Sequence, residues 1–235
     1  MKKYSHLLLF LLIANSLLAQ NNFTQFKSKL DQTLSEDELY LSQKNNSLEQ
    51  LKEKLRHTKV LQDRYPILEK LYEEYKSYQS DSALVYAKRS VQIAFKNKNT
   101  VQITKAQLNL ASILGTLGMY NQALEILNIM ESSVAPQLKG EFYWTKRIVY
   151  GGLAGYATSV EEKNTYNQLG KENRDKAITN LSKKSPEYIL AVSGQLLSQK
   201  KHAQAIALLL PYFDTIEKSD PNRAVIAYLI SENYK

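Results

Sequence analysis

Two stretches of this chain carry the same order of large and small residues at the same spacing, and that repeat limits the fold more than any other feature of the sequence. In one, Leu110-Ala111-x-x-Leu114 is followed by Gly118-Met119-Tyr120 and then by Ala123-x-x-x-Leu127. In the other, Val192-Ser193-x-x-Leu196 is followed by Ala205-x-x-x-Leu209. The offset from the large residue of the first segment to the alanine of the second is thirteen residues in both copies. Apolar positions three and four apart mark one face of a helix, and the intervening turn makes each copy a helix pair. Alanine on the second helix lets the first helix approach closely, while Leu and Tyr fill the space that remains. A pair by itself cannot bury its apolar face, so neighbouring pairs must stack.

A third copy, Leu71-Tyr72-x-x-Tyr75 with Ala83 and Ala87, is one residue shorter through its Ser80-Asp81 turn. Ala83 to Ala123 is forty residues and Ala123 to Ala205 is eighty-two, so a further unit must lie between the last two. Its helices are expected over about 137–157 and 161–181, with Tyr166, Leu169, Asn173 and Ala177 on one face. Pro136, Pro186 and Pro221 each stand where a first helix should begin, a position at which the missing N–H costs nothing. The pattern resembles tetratricopeptide repeats, with their L-G-x-x-Y and A-x-x-x-F halves. The expectation is an all-α fold: a tetratricopeptide-like right-handed superhelix of antiparallel helix pairs, an α-solenoid with one concave face lined by first helices. Residues 61–235 hold about four such pairs plus an incomplete final repeat. Ile230-Ser231-x-x-Tyr234 is the first half of a further unit whose alanine would fall beyond Lys235. The chain is therefore expected to be the N-terminal portion of a longer protein, with a last helix that packs poorly.

Composition agrees with long helices. Only 8 Gly and 5 Pro argue against turn-rich β folds and against glycine-rich nucleotide loops. The absence of cysteine excludes disulfides, thiolate metal sites, cysteine nucleophiles and a lipid-bearing cysteine. Sixteen tyrosines is a high count; Tyr72, Tyr75, Tyr78, Tyr86, Tyr143, Tyr150, Tyr156 and Tyr166 mostly recur at helical spacing. Most are expected between helices with the hydroxyl at the rim, leaving some for a peptide- or sugar-stacking surface.

Residues 1–19 read as a signal peptide: Lys2-Lys3, an apolar run from Leu7 to Ala14, and Ala19 at a plausible cleavage point. The run is short for a membrane span of roughly 20 residues, and Asn15-Ser16 interrupt it, which disfavours an uncleaved anchor. Export to the periplasm follows. The net charge of +8 falls to +6 once Lys2 and Lys3 leave with the signal, and a moderately basic exported chain meets cell wall, anionic lipid and acidic glycans, so nucleic acid is not an expected partner of this segment. Residues 20–60 form an N-terminal amphipathic helix region: Ser35 and Glu38 read as a capping pair, and Leu41, Leu48, Leu51 and Leu55 form one seam. That seam suits either a helix packed along the first repeat or a homodimer contact.

Constellations for chemistry are weak. His6 lies in the signal, and neither His57 nor His202 has a second histidine or a carboxylate at metal-ligand spacing. Glu73-Glu74 and Glu161-Glu162 are adjacent on helices, point different ways and read as solvated faces. Gly151-Gly152-Leu153-Ala154-Gly155 has neither the preceding strand nor the Lys-Ser/Thr of a phosphate loop, and reads instead as close helix packing. Lys52-Glu53-Lys54-Leu55-Arg56 and Lys183-Lys184 read as solubilising charge. Trp144, beside Phe142 and Tyr143, is open to two readings, core packing or a ligand contact on the concave face. No catalytic, cofactor-binding or metal-binding residue is assigned, the binding residues stay unassigned, and the chain is expected not to be an enzyme.

Leu30-Asp31 opening a Gln/Lys/Glu-rich helix, then Asp63-Arg64-Tyr65 and Tyr72-Glu73-Glu74-Tyr75-Lys76-Ser77-Tyr78-x-x-Asp81-Ser82-Ala83, resemble one family in particular. It is a domain-of-unknown-function family of membrane-tethered bacterial regulators. The resemblance implies a periplasmic tetratricopeptide sensor joined, in full-length relatives, to an inner-membrane span and a cytoplasmic helix-turn-helix domain. This sequence holds neither span nor DNA-binding domain. Two functions are thereby expected: a non-enzymatic periplasmic sensing or protein-binding domain of a one-span transcriptional regulator, or a free periplasmic adaptor holding a peptide of an envelope complex. The ligand in either case is a protein or peptide on the concave face, with a glycan as the further candidate.

Overall fold

A computed structural model of the chain describes residues 37–217 and 220–233, together with Lys27, Ser28 and Asp31. The signal segment, Leu30, the Ser35 cap and Tyr234 lie outside the described residues. Contacts divide the chain into two compact units, Met1–Lys52 and Glu53–Lys235.

Helix α1, Asp37–His57, runs through the boundary between them. In the first unit Leu48 is buried and Leu41 exposed; in the second, Leu55 is buried. The basic cluster of α1 is tied up locally, Lys52 with Glu49 and Arg56 with Glu53.

The second unit is an all-α stack, with no strand among the described residues. Its helices are α2 (Leu61–Lys76), α3 (Ser80–Asn97), α4 (Thr100–Thr116), α5 (Tyr120–Met130), α6 (Lys139–Tyr156), α7 (Val160–Asn180), α8 (Pro186–Ser198), α9 (His202–Thr215) and α10 (Pro221–Asn233). Each helix packs on the next, and the first helices of successive pairs also touch, α2 with α4, α4 with α6 and α6 with α8. That is the contact pattern of a helical solenoid, in which each pair completes the core of its neighbour. The small residues behave as the spacing requires: Ala83, Ala87, Ala123 and Ala205 are all buried, as are Ala111 and Ser193 on the first helices. The weakest repeat is present as α6 and α7, where Asn173 and Ala177 are buried and Tyr166 and Leu169 half-buried.

Helix ends follow local chemistry. Asn99 caps α4 through the amides of Val101 and Gln102, Ser159 caps α7 and Ser185 caps α8. Pro186 and Pro221 are the first residues of their helices, while Pro136 opens a short 3₁₀ turn, Pro136–Leu138, ahead of α6. Helices α4 and α8 stop in the same way. The amides of Met119 and Lys201 reach back to the carbonyls of Leu114 and Leu196, and the residue before each, Gly118 (φ 76°) or Lys200 (φ 59°), is left-handed. Lysine carries a Cβ penalty there that glycine does not. Lys200→Gly is expected to raise stability by about 0.5–1 kcal/mol, and Gly118→Ala to lower it by about 1 kcal/mol. Paired urea melts of the two variants check both signs.

Helix α10 meets the expectation of a poorly packed last helix only in part: Ile226 is fully buried in a cluster with Ile189, Leu209 and Ile216, and Leu229 and Ile230 lie against it. Its outer face keeps Val225 and Tyr228 exposed.

Candidate functional site

The first helices of the pairs line a groove of about 340 Å³. Tyr72, Glu73 and Lys76 come from α2, Lys105, Asn109 and Ser112 from α4, Glu141 and Trp144 from α6, Glu187 from α8 and Asn222 from α10. They stand at different heights along their helices, from the last turn of α2 to the first turns of α8 and α10.

The groove is acidic on a basic chain. Lys105 Nζ donates to Glu141 Oε2 at 2.7 Å, joining α4 to α6 across the floor. Lys76 pairs with Glu73. Burial by itself would lower the Lys105 ammonium pKa, but the hydrogen bond and charge of Glu141, with Glu73 and Glu69 beyond, outweigh it and hold that group above its usual range. Glu69 is pushed the other way: burial raises its carboxyl pKa, Lys105 opposes this, and the charges of Glu73 and Glu141 add to the rise. Three carboxylates, Glu73, Glu141 and Glu187, thus line the groove with two ammonium groups, and Glu69 stands within reach of their charge. Burial also pushes the Tyr72 hydroxyl up to about 12, with a bond to Ser112 opposing and the charge of Glu73 adding. At neutral pH the phenol therefore stays protonated as a donor on the groove wall.

The raised Glu69 carboxyl has a consequence for stability. Ionisation costs more in the folded chain than in the unfolded one, so the penalty is absent below the unfolded carboxylate pKa and fully present once pH has risen through the folded one. Glu69→Gln is expected to raise the melting temperature at pH 7, with the gain vanishing at about pH 4. Melting curves of both proteins across that range give the comparison.

Trp144 lies on the groove wall and not in the buried core. Its ring is half-buried on the groove, and the Arg147 guanidinium sits 5.2 Å from the ring centroid. Phe142 points into the core, and Tyr143 is half-buried with the Lys176 ammonium 5.5 Å from its ring. Adjacent positions on α6 thus serve three surroundings.

A family model described as the SusR N-terminal TPR domain, where TPR denotes the tetratricopeptide repeat, matches residues 34–235. The chain belongs to this family. No curated protein and no solved structure matches it. TPR domains in general are non-catalytic modules that bind protein partners, and this SusR-type TPR domain is a helical-repeat domain of that interaction class.

Other sequence candidates fall away from the groove of this SusR-type domain. His57 does have a carboxylate partner: Glu53, one turn earlier, bonds its Nε2 on the exposed face of α1, contrary to the reading that no carboxylate stood at such a spacing. His202 is exposed at the start of α9. No cluster of three or more ligating side chains occurs among the described residues. Glu161 and Glu162 are exposed in the first turn of α7, where Ser159 caps the Glu162 amide and negative charge suits the helix dipole. Glu73 is not a merely solvated residue, since it lines the groove and pairs with Lys76. In the glycine run only Gly152 serves close packing, a Cβ there falling 2.2 Å from the Tyr120 ring, whereas Gly151 and Gly155 face open space. Among the tyrosines, Tyr72 and Tyr75 are buried, Tyr86, Tyr143, Tyr150 and Tyr166 half-buried, and Tyr78 and Tyr156 exposed.

Sequence reasoning missed Glu69, Lys105, Glu141 and Glu187. A signal existed: Lys105 and Glu141 sit about one repeat apart on successive first helices. Only a register between repeats, which α6 obscures, turns that spacing into a contact.

Proposed function

We propose that the groove of α2, α4, α6 and α8 binds an extended, cationic protein segment, and that this domain is the periplasmic sensing part of a membrane-tethered transcriptional regulator. The observation that carries the first half is the excess of carboxylates over ammonium groups in the groove. The charges of Glu73 and Glu141 repel that of the half-buried Glu69, which costs stability, and a partner bringing Lys or Arg side chains relieves that cost. Trp144 and Tyr72 offer aromatic and hydroxyl contacts between the charges, the amphipathic chemistry common at anchor positions of interfaces.

The regulator half is supported by the family and by the apolar run at the N-terminus. Among the described residues no helix is long and apolar enough to cross a membrane, so an anchor would have to come from elsewhere in the protein. A reading frame that continues past Lys235 into an apolar span of roughly 20 residues and a helix-turn-helix is the expected genomic result.

Fluorescence anisotropy with two labelled extended peptides, one carrying spaced lysines and one with glutamates in their place, tests the groove. The lysine peptide is expected to bind, with affinity falling as salt rises. Glu73→Gln together with Glu187→Gln is expected to weaken it about tenfold or more. Equal binding of the glutamate peptide would overturn this reading.

A further inference from the structure

A second pocket, of about 280 Å³, opens between α6, α7 and α8 and has the opposite charge. Arg147 and Gly151 of α6, Lys171 and Arg174 of α7 and Ser198 at the end of α8 line it, with Tyr166 as an aromatic wall. Arg174 is buried and held in place: its Nη1 donates to the Gly194 carbonyl at 3.2 Å and its Nε lies 3.4 Å from Asp175. Asp175 is in turn bonded by the Gln195 side chain at 3.2 Å.

The other two cations have no such compensation. Arg147 is half-buried and rests on the Trp144 ring, and among the described residues no carboxylate pairs with it or with Lys171. Burial first, and then the charge of Arg174, lowers the pKa of the Arg147 guanidinium. The nearby Glu131 is engaged elsewhere, by Lys146 at 2.9 Å, and Glu172 accepts from Gln168 at 3.0 Å. The helix surfaces are also bare where the cations converge. A Cβ on Gly151 would meet nothing within 4 Å, and one on Gly170 only the Tyr150 Cβ at 3.8 Å and the Arg147 carbonyl at 3.9 Å.

We infer that this pocket binds a soluble phosphate-type dianion, such as a phosphate monoester, between Arg147, Lys171 and Arg174. The guanidinium forks match the oxygens of a phosphate bidentately, and a doubly charged ligand neutralises three cations that one aspartate leaves uncompensated. The site lies outside the acidic groove and does not depend on what that groove binds.

Calorimetric titration of the whole chain with inorganic phosphate and with glycerol phosphate, at constant ionic strength against chloride, tests the site. Both are expected to bind and to raise the melting temperature. Arg147→Gln and Lys171→Gln are each expected to weaken binding about tenfold. Lys183→Gln, in the exposed turn after α7, should leave it unchanged. Lys171 is exposed, so its variant reports on binding even if the Arg147 change disturbs the Trp144 contact. No difference between phosphate and chloride would overturn the inference, as would unchanged binding in both variants or tighter binding of succinate than of phosphate. Binding to phosphatidic acid vesicles without binding to glycerol phosphate would move the ligand to a membrane surface and overturn the soluble assignment.

Discussion

Phe142→Ala should lower the stability of the second unit by about 4 kcal/mol, the largest effect expected of a single truncation in this chain. The side chain is 1% exposed, in the cluster that ties α4, α5 and α6 together through Leu114, Leu127, Met130 and Val149. Tyr143 meets its ring edge-on at 5.2 Å, and the buried Lys146 ammonium stands 5.3 Å from its face. Truncation therefore removes transfer energy, leaves a cavity that helices on three sides cannot close, and strips one stabilising contact from a buried charge. A solenoid transmits this loss to its neighbours, because each pair completes the next pair's core. Urea unfolding should show the midpoint falling with little change in slope, whereas Tyr143→Ala, at a half-buried position, should cost much less. Equal losses at the two positions would mean that the core does not centre on Phe142.

Gly140→Ala should cost about 2–3 kcal/mol, although alanine is the better helix former. A Cβ at Gly140 would fall 2.8 Å from the carbonyl carbon and oxygen of Asn180 and from the Leu181 amide nitrogen. These are backbone atoms where α7 ends, so no side-chain rotation relieves the clash; the start of α6 and the end of α7 must separate. Gly155→Ala provides the contrast. It meets open space and should be neutral or stabilising by up to about 1 kcal/mol. Thermal melts of the two variants should move in opposite directions, and a neutral Gly140→Ala would show that the two helix ends have room to part.

These two sites show where the sequence was legible. Gly140 carries no sequence mark that separates it from Gly155, since both are glycines of one helix; what distinguishes them is a backbone arriving from forty residues later. Phe142, Tyr143 and Trp144 were visible as an aromatic cluster, but adjacent helical positions point about 100° apart, so one cluster had to divide among three surroundings. The alanines were more legible, because a position that faces a neighbouring helix at close range tolerates little else, whatever the partner's identity. The acidic groove and the basic pocket were not legible. The groove gathers its charges from four helices and the pocket from two, and each such charge taken singly reads as solvated surface.

The sequence by itself determined that this chain folds as stacked helix pairs and where each pair turns, because helical periodicity, proline starts and small residues are local requirements repeated at a fixed offset. Only the tertiary structure decided which faces became sites. That depended on the rotation of each first helix against the next, a quantity set by packing between repeats and written in no single one of them. Its result is that Glu141 meets Lys105 on one side of α6, while Arg147, less than two turns further on, meets Arg174 on the other.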